Sequence, residues 1–369
     1  MNVSFGQRCL LWLSSAEISS RRVRELSKAY HGPEGIWESF GSAHGPAFQP
    51  GSRATLERLH SDAAMEDLLA RHDRMNVRLL FLSDDDYPPL LRAIDDPPYL
   101  LYCAGKPEAL ALPCVAIVGT RMPSAYGEEV AGVLARGLSR AGVCVVSGLA
   151  RGIDSAAHKG ALSVDGHTAG VLGSGINVPY PPEHTPMLRK IAGGIGVVLS
   201  EYPLDAEPVT YHFPHRNRVI SGLSLGVVFV EGKVKSGGML TVGTALSQGR
   251  EVFAVPGRVG ASFSEGPHAI LREGARIVTS AEDILEDLGL CAKPAFVTEA
   301  KESERLTSAQ GNILQCLRAE PLTPEELSRR LGQRPEQLIE ELGMLEVLGM
   351  VRREAGNRYA VPLRAGQGG

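Results

Sequence analysis

Between residues 113 and 290, short uninterrupted apolar runs alternate with stretches long enough for helices, and this pattern restricts the fold more than any other feature of the chain. The runs are Val115–Val118, Val143–Val146, Ala169–Leu172, Val197–Leu199, Val227–Val230 and Val252–Val255. A strand with one wet face alternates apolar and polar residues, whereas a run without polar interruption needs cover on both faces. Helical patterns lie between the runs, at about Ser124–Arg140, Asp154–Leu162, Pro182–Ala192, Pro214–Gly222 and Met239–Gln248. Such repetition predicts an α/β domain with a doubly wound, Rossmann-like parallel sheet. Ligands of these sheets bind outside the carboxyl ends of the strands, so the turns after the runs are where function is to be sought.

The chain has 369 residues, too many for one ordinary core, and divides into parts. Residues 1–75 read as a small helical module. An amphipathic helix over Arg21–Tyr30 is broken at His31-Gly32-Pro33, and a second helix carries Ile36, Trp37 and Phe40. A Gly/Pro/Ser-rich loop covers 41–53, and Leu56–Leu69 is helical again. Residues 76–290 form the α/β domain. Its opening stretch, Val77–Gly105, contains Pro88-Pro89 and Pro97-Pro98 and reads as an extended connector packed on the sheet. A polar linker spans 291–307. Residues 308–363 then read as a winged helix: a helix over Ser308–Arg318, a second opened by Thr323 with Pro324 at its first position and Glu326 completing a capping box, a third over Pro335–Leu348, and a hairpin around Ala355-Gly356-Asn357. The residues from Arg364 onward read as a disordered tail.

Four of the turns carry glycine with small polar or basic residues. Gly119-Thr120-Arg121 follows the first run, Ser147-Gly148 with Arg151 the second, Gly173-Ser174-Gly175 the third, and Lys235-Ser236-Gly237 the fifth. Glycine lets backbone N–H groups approach an anion, and helix N-termini add a favourable dipole. Together with Arg121 and Arg151, these turns predict a site for one or more phosphates. A second constellation, Tyr211-His212-Phe213-Pro214-His215-Arg216-Asn217-Arg218, interleaves aromatic and basic residues. Single-stranded nucleic acid needs that combination: bases stack on rings at ~1–3 kcal/mol each, and guanidinium groups pair with phosphates. The formal net charge of −4 gives no global field to draw in a polyanion, so any nucleic-acid binding must come from a local patch.

Several enzyme classes find no support. There is no Gly-x4-Gly-Lys-Ser/Thr loop. Gly173-x-Gly175 has Val178 where a dinucleotide fingerprint needs its last glycine. The one Gly-x-Ser-x-Gly match, Gly222–Gly226, lies between a helix and a strand, the reverse of a nucleophile elbow. Asp154 and His158 sit one helical turn apart and read as a surface or packing pair. No His-Glu-x-x-His helix occurs, and the six cysteines (Cys9, Cys103, Cys114, Cys144, Cys291, Cys316) show no Cys-x-x-Cys spacing. They read as small buried residues of a reducing compartment, with neither metal nor cofactor expected. No apolar run approaches the ~18 residues of a membrane span, and Met1–Leu13 lacks the basic lead and cleavage site of a signal peptide. A soluble cytoplasmic protein is expected. The third winged-helix helix carries Glu336, Glu340, Glu341 and Glu346, an unsuitable charge for a major groove, so this part reads as a protein contact or weak auxiliary DNA contact, with Arg352, Arg353 and Arg358 on the wing.

These residues bring out a resemblance. Ala116–Arg121 with Ser124-Ala125-Tyr126-Gly127, Ser147–Asp154, Gly173–Tyr180, Ser200–Pro203, Phe213–Ser224 and Val255-Pro256-Gly257 occur in the order of the DprA/Smf family. Tyr87-Pro88 and Asp96-Pro97-Pro98 match the stretch before that domain. The resemblance is specific from 87 to 278 and looser at both ends. It implies a SAM-like helical module, an extended Rossmann domain and a winged helix. It also implies binding of single-stranded DNA without sequence preference, protection of incoming DNA in natural transformation, loading of the RecA recombinase, and a homodimer. No chemistry of its own is implied. Arg121 corresponds to the chief phosphate ligand, with Phe213, Arg216 and Arg218 as the aromatic–basic partners. A rival of another class, a nucleotide phosphoribohydrolase of the lysine-decarboxylase-like type, resembles Ser236-Gly237-Gly238-x-x-Thr241 but needs a glutamate on the next helix, where Thr244–Gln248 offers none. A transcriptional regulator acting through the winged helix is a third reading.

Overall fold

A computed structural model describes residues 3–290, 308–347, 350–354 and 356–361. The linker at 291–307, Cys291 within it, and the tail lie outside the described residues. The chain forms two compact units, one up to Leu290 and one from Cys291.

The first unit opens with five helices: α1 (Phe5–Ser15), α2 (Ser20–Ala29), α3 (Pro33–Ser39), α4 (Pro50–Leu59) and α5 (Asp62–Arg74). Positive φ at His31 and Gly32 makes the expected break before α3. Helix α1 replaces what the sequence showed only as a short apolar stretch, and its Ser4–Gln7 capping box fixes its start. The single helix expected over Leu56–Leu69 is two helices, separated where Ser61 caps α5.

Strands and helices then alternate: β1 (Val77–Phe81), α6 (Pro89–Arg92), β2 (Leu100–Gly105), β3 (Cys114–Val118), α7 (Ala125–Arg140), β4 (Cys144–Ser147), α8 (Ile153–Leu162), β5 (Thr168–Leu172), α9 (Thr185–Gly193), β6 (Val197–Ser200), α10 (His212–Leu223), β7 (Gly226–Phe229), α11 (Gly237–Ser247), β8 (Glu251–Ala254), α12 (Glu265–Arg272), β9 (Arg276–Ile277) and α13 (Ala281–Asp287). They make a nine-stranded sheet ordered β1-β2-β6-β5-β4-β3-β7-β8-β9. The seven strands from β6 to β9 are parallel, and β1 and β2 extend that edge antiparallel. The stretch read as a connector is therefore part of the sheet. Its prolines sit outside the strands, between β1 and β2, where no ladder hydrogen bond is lost.

The reason for the unbroken apolar runs is visible in β3. Cys114, Ala116 and Val118 pack with Val219, Ile220 and Val242 of α10 and α11. Val115 and Ile117, pointing the other way, pack with Val130, Leu134 and Ala157 of α7 and α8. The five N-terminal helices share a third core with β1, β2, β6 and α9, through Trp12, Leu56, Tyr102, Ile191 and Val198. The chain winds outward from β3 to β6, then returns to the other side of β3 to lay down β7, β8 and β9. The crevice between β3 and β7 is the topological switch point, where such sheets take their ligands.

In the second unit α14 (Ser308–Ala319), α15 (Pro324–Leu331) and α16 (Pro335–Val347) precede a hairpin of β10 (Arg352–Glu354) and β11 (Arg358–Ala360). Thr323 and Glu326 form the expected capping box. Leu327, Leu338, Leu342 and Tyr359 close a small core of this winged helix.

Candidate functional site

A cleft of about 560 Å³ opens at the switch point. Gly119, Thr120 and Arg121 from the turn after β3 form one wall, Ser236, Gly237 and Thr241 from the start of α11 form the other, and Phe213, Arg216 and Asn217 of α10 lie between them. A smaller recess adjoins it, lined by Arg121, Gly148, Arg151, Tyr180, Phe213 and Arg216. Residues nearly 120 positions apart in sequence thus meet because β3 and β7 are neighbours in the sheet.

Arg121 is exposed at the mouth, with its guanidinium 5.7 Å from the centre of the Phe213 ring. Among the described residues it makes no ion pair, so its charge is available to a ligand. Tyr180 packs against Phe213, with ring centres 5.3 Å apart and the rings tilted by 53°. Cation and rings together offer a phosphate contact beside a stacking surface. Arg151 is also exposed and is held by Glu183 at 2.6 Å. An ion pair so open to water is weak and can be exchanged for a phosphate.

Arg216 plays a different part. It is 5 % exposed and donates through Nη1 to the carbonyls of Gly148 (2.8 Å) and Val171. Burial pushes its pKa down to about 10, with Asp154 opposing the shift, so it remains cationic at neutral pH. It ties the carboxyl ends of β4 and β5 beneath the cleft. Gly148 is required there: a Cβ would stand 2.7 Å from the Arg216 Nη2 and 2.8 Å from the Asp154 Oδ2. Asp154, its pKa raised chiefly by burial, accepts from the N–H groups of Gly148 (3.0 Å) and Ala150 (3.4 Å). It belongs to this framework and is not the surface partner of His158.

Many backbone N–H groups expected to face an anion are already engaged. Thr120 donates to the Glu231 carbonyl at 2.7 Å, and those of Gly148 and Ala150 go to Asp154. Gly173, Ser174 and Gly175 of the turn after β5 do not line the cleft. Gly175 donates to the Ala206 carbonyl (2.9 Å), the buried Ser174 hydroxyl to Val178 (2.6 Å), and Gly173 lies under the Phe213 ring. Ser147 is buried, its hydroxyl donating to the Ile117 carbonyl at 2.6 Å. The open N–H groups are those beginning α11, where Ser236 caps the helix and Gly237 is exposed. Lys235 is exposed one residue earlier on the same turn. Asn217 reaches across from α10 to the Gly237 carbonyl at 3.4 Å.

Arg218 points away from the cleft. It is buried against Glu201 at 2.5 Å and the Asp96 carbonyl at 2.6 Å. Two steps along a helix turn a side chain by about 200°, so Arg216 and Arg218 cannot serve one groove. Tyr180 is a cleft residue that the sequence does not group with the other aromatics. Its signal was its place at the end of the Gly173–Tyr180 segment, too far in sequence from the other aromatics to be grouped with them. In the second unit α16 carries no basic residue, Arg358 is tied to the Pro321 carbonyl and Glu326, and Arg352 to Glu354.

Beneath the sheet ends, His158 on α8 is buried. Thr168 gives its hydroxyl proton to the Val145 carbonyl, so its oxygen accepts from the His158 Nδ1–H at 2.7 Å. Burial, then the charges of His184 and Arg216, push the His158 pKa down to about 3 from 6.5. Between those values the unfolded chain binds a proton that the folded chain refuses. Stability is therefore lost as pH falls below about 6.5, by up to ~1.4 kcal/mol per pH unit. Urea unfolding of wild type and His158→Gln at pH 7.5 and 5.0 should show the wild type losing about 2 kcal/mol more than the variant. Parallel losses would exclude His158 as the source.

No helix among the described residues is long and apolar enough to cross a membrane, and no cluster of three His, Cys, Asp or Glu among them is placed to hold a metal. Residues 78–289 match the family model described as DNA recombination-mediator protein A, and residues 297–357 match the DprA winged helix domain. Protein Smf of Escherichia coli is 38% identical over 300 residues, 79% of this chain and 80% of that one. DNA processing protein DprA of Bacillus subtilis is 41% identical over 222 residues, 60% of this chain and 74% of that one. Among solved structures, DNA processing protein A from Streptococcus pneumoniae superposes with a TM-score of 0.64 at 32% identity, over 78% of this chain and 99% of that one. A structure reporting the single-stranded DNA binding mode of the Helicobacter pylori protein gives 0.52 at 31% identity, over 57% and 95%.

Proposed function

The chain belongs to the DNA recombination-mediator protein A (DprA/Smf) family, and from that membership we propose that its switch-point cleft holds the backbone of single-stranded DNA, without sequence preference, and that the protein loads RecA onto the bound strand. The observation that carries this reading is Arg121: an exposed guanidinium free of acidic partners among the described residues, set over Phe213 and beside the open start of α11. The proposed ligands are Arg121, Arg151, Lys235, Ser236 and Gly237 for phosphate, Thr120 and Asn217 for polar contacts, and Phe213 for a base. Gly119, Gly148 and Arg216 shape the cleft.

Binding rather than catalysis accords with the state of two carboxylates, Asp154 in the cleft and Glu231 behind its wall. Glu231 is held through both oxygens by the Ser124 N–H (2.9 Å) and hydroxyl (2.6 Å), and Asp154 by backbone. Neither is poised as a general base for the phosphoribohydrolase alternative, which is not favoured. In this reading 1–75 is the helical module, 76–290 the DNA-binding domain and 308–363 the winged helix joined by 291–307; the protein works in the cytoplasm as a homodimer.

Fluorescence anisotropy with an oligothymidine, a mixed-sequence single strand and the matching duplex tests the proposal. Similar affinities for the two single strands, and weaker duplex binding, are expected. Phe213→Ala should weaken single-strand binding by ~1–3 kcal/mol and leave the salt dependence unchanged. Stronger binding to duplex, or release of adenine from AMP, would overturn the reading. RecA loading is tested separately, by whether the protein speeds recombinase ATP hydrolysis on a strand covered by single-strand-binding protein.

A further inference from the structure

Helix α10 has two working faces. Phe213, Arg216, Asn217 and Ile220 recur at helical spacing and line the cleft. His212, His215 and Arg218 recur on the opposite side and meet a network of charges centred on the enclosed Arg218–Glu201 pair. Asp96 receives Arg24 of α2 at 2.6 Å, the Arg218 Nε at 3.4 Å and His215 at 3.7 Å. Glu201, after β6, receives Arg218 at 2.5 Å, His215 at 3.5 Å and the Ser20 hydroxyl of α2 at 3.1 Å. His212 lies 3.3 Å from Glu17, in the turn between α1 and α2. Glu17 of the helical module thus reaches the back of the helix that carries the floor of the cleft directly, and Ser20 and Arg24 reach it through Glu201 and Asp96.

The arrangement is more than a surface contact. The Arg218 and Glu201 side chains are only 10% and 12% exposed. A carboxylate so enclosed requires its partners, because a buried charge left alone is strongly destabilising. The acids fix Arg218, Arg218 fixes the rotation of α10, and a rotation of α10 would carry Phe213 and Arg216 out of register with Arg121. Ser20 and Arg24 complete the coordination of the two acids from the module side.

We propose that the helical N-terminal module is a positioning element for the cleft: Ser20 and Arg24 act through Asp96, Glu201 and Arg218 to hold α10 in its binding register. This rests on the single-strand reading above, and the test separates the two. In the full chain, Arg24→Ala, Ser20→Ala and the conservative Arg24→Lys are compared with wild type. Hydrogen exchange of residues 212–223 is measured without DNA, and affinity for an oligothymidine across a salt series. Arg24 is 41% exposed, so Arg24→Ala is expected to fold, and Ser20→Ala gives a second, smaller change. Arg24→Ala is expected to speed exchange in α10 and weaken affinity three- to tenfold with the same salt slope, because no phosphate contact is removed; Ser20→Ala should do so less, and Arg24→Lys should restore most of the loss. Unchanged exchange in α10 would overturn the proposal, as would faster exchange with unchanged affinity, which would mark the network as a purely structural clamp. A wild-type protein that fails to bind the strand would sink the single-strand reading, while the exchange data would still decide whether the module grips α10.

Discussion

Replacing Arg121 by glutamate should weaken single-strand binding well over tenfold and flatten its salt dependence. Each phosphate neutralised on a single strand contributes a slope of about −0.7 in log affinity against log salt, and loss of this contact should reduce the slope by at least that much. Reversal adds repulsion between the new carboxylate and the backbone. The fold should not suffer: Arg121 is exposed, and its one marked neighbour is the Phe213 ring. Thermal unfolding should stay close to wild type while the anisotropy titration collapses. An unchanged slope would place the phosphate contact elsewhere.

Arg216→Met should give the opposite balance, a large loss of stability together with the loss of binding. The guanidinium holds the carbonyls of Gly148 and Val171, and Asp154 is the acid alongside it. Removing one member of a buried ionic set leaves the other uncompensated, at a cost of about 3–5 kcal/mol. The midpoint of urea unfolding should drop accordingly. Near-wild-type stability would mean that Arg216 is not the tie between β4 and β5. The two variants together separate a residue that meets the ligand from one that builds the floor beneath it.

That separation was not legible in the sequence. Each arginine stands within three residues of a glycine or a phenylalanine, and spacing does not reveal which side chain is buried. The parallel strands were legible because cover on both faces forces unbroken apolar runs such as Val115–Val118. Strands β1 and β2 were hidden by the prolines between them, which mark the connection and not the strands. The turn after β5 has the composition of an anion-binding loop, yet Gly175 and Ser174 spend their hydrogen-bonding groups on residues 178 and 206. Whether a glycine turn is open or closed depends on the loop that returns beside it, here the stretch around Leu204. The role of Arg218 depends likewise on Asp96, 122 residues earlier. The crevice itself became identifiable only with the strand order, since nothing local announces that β7 pairs with β3.

Ultraviolet crosslinking of an oligothymidine carrying bromodeoxyuridine, followed by peptide mapping, tests the central claim most directly. Crosslinked peptides should contain Tyr180 or Phe213, with others from the Gly119–Arg121 turn and the start of α11, and should vanish with Arg121→Glu. Crosslinks confined to residues 308–361, or to the face of the sheet covered by α7 and α8, would contradict it.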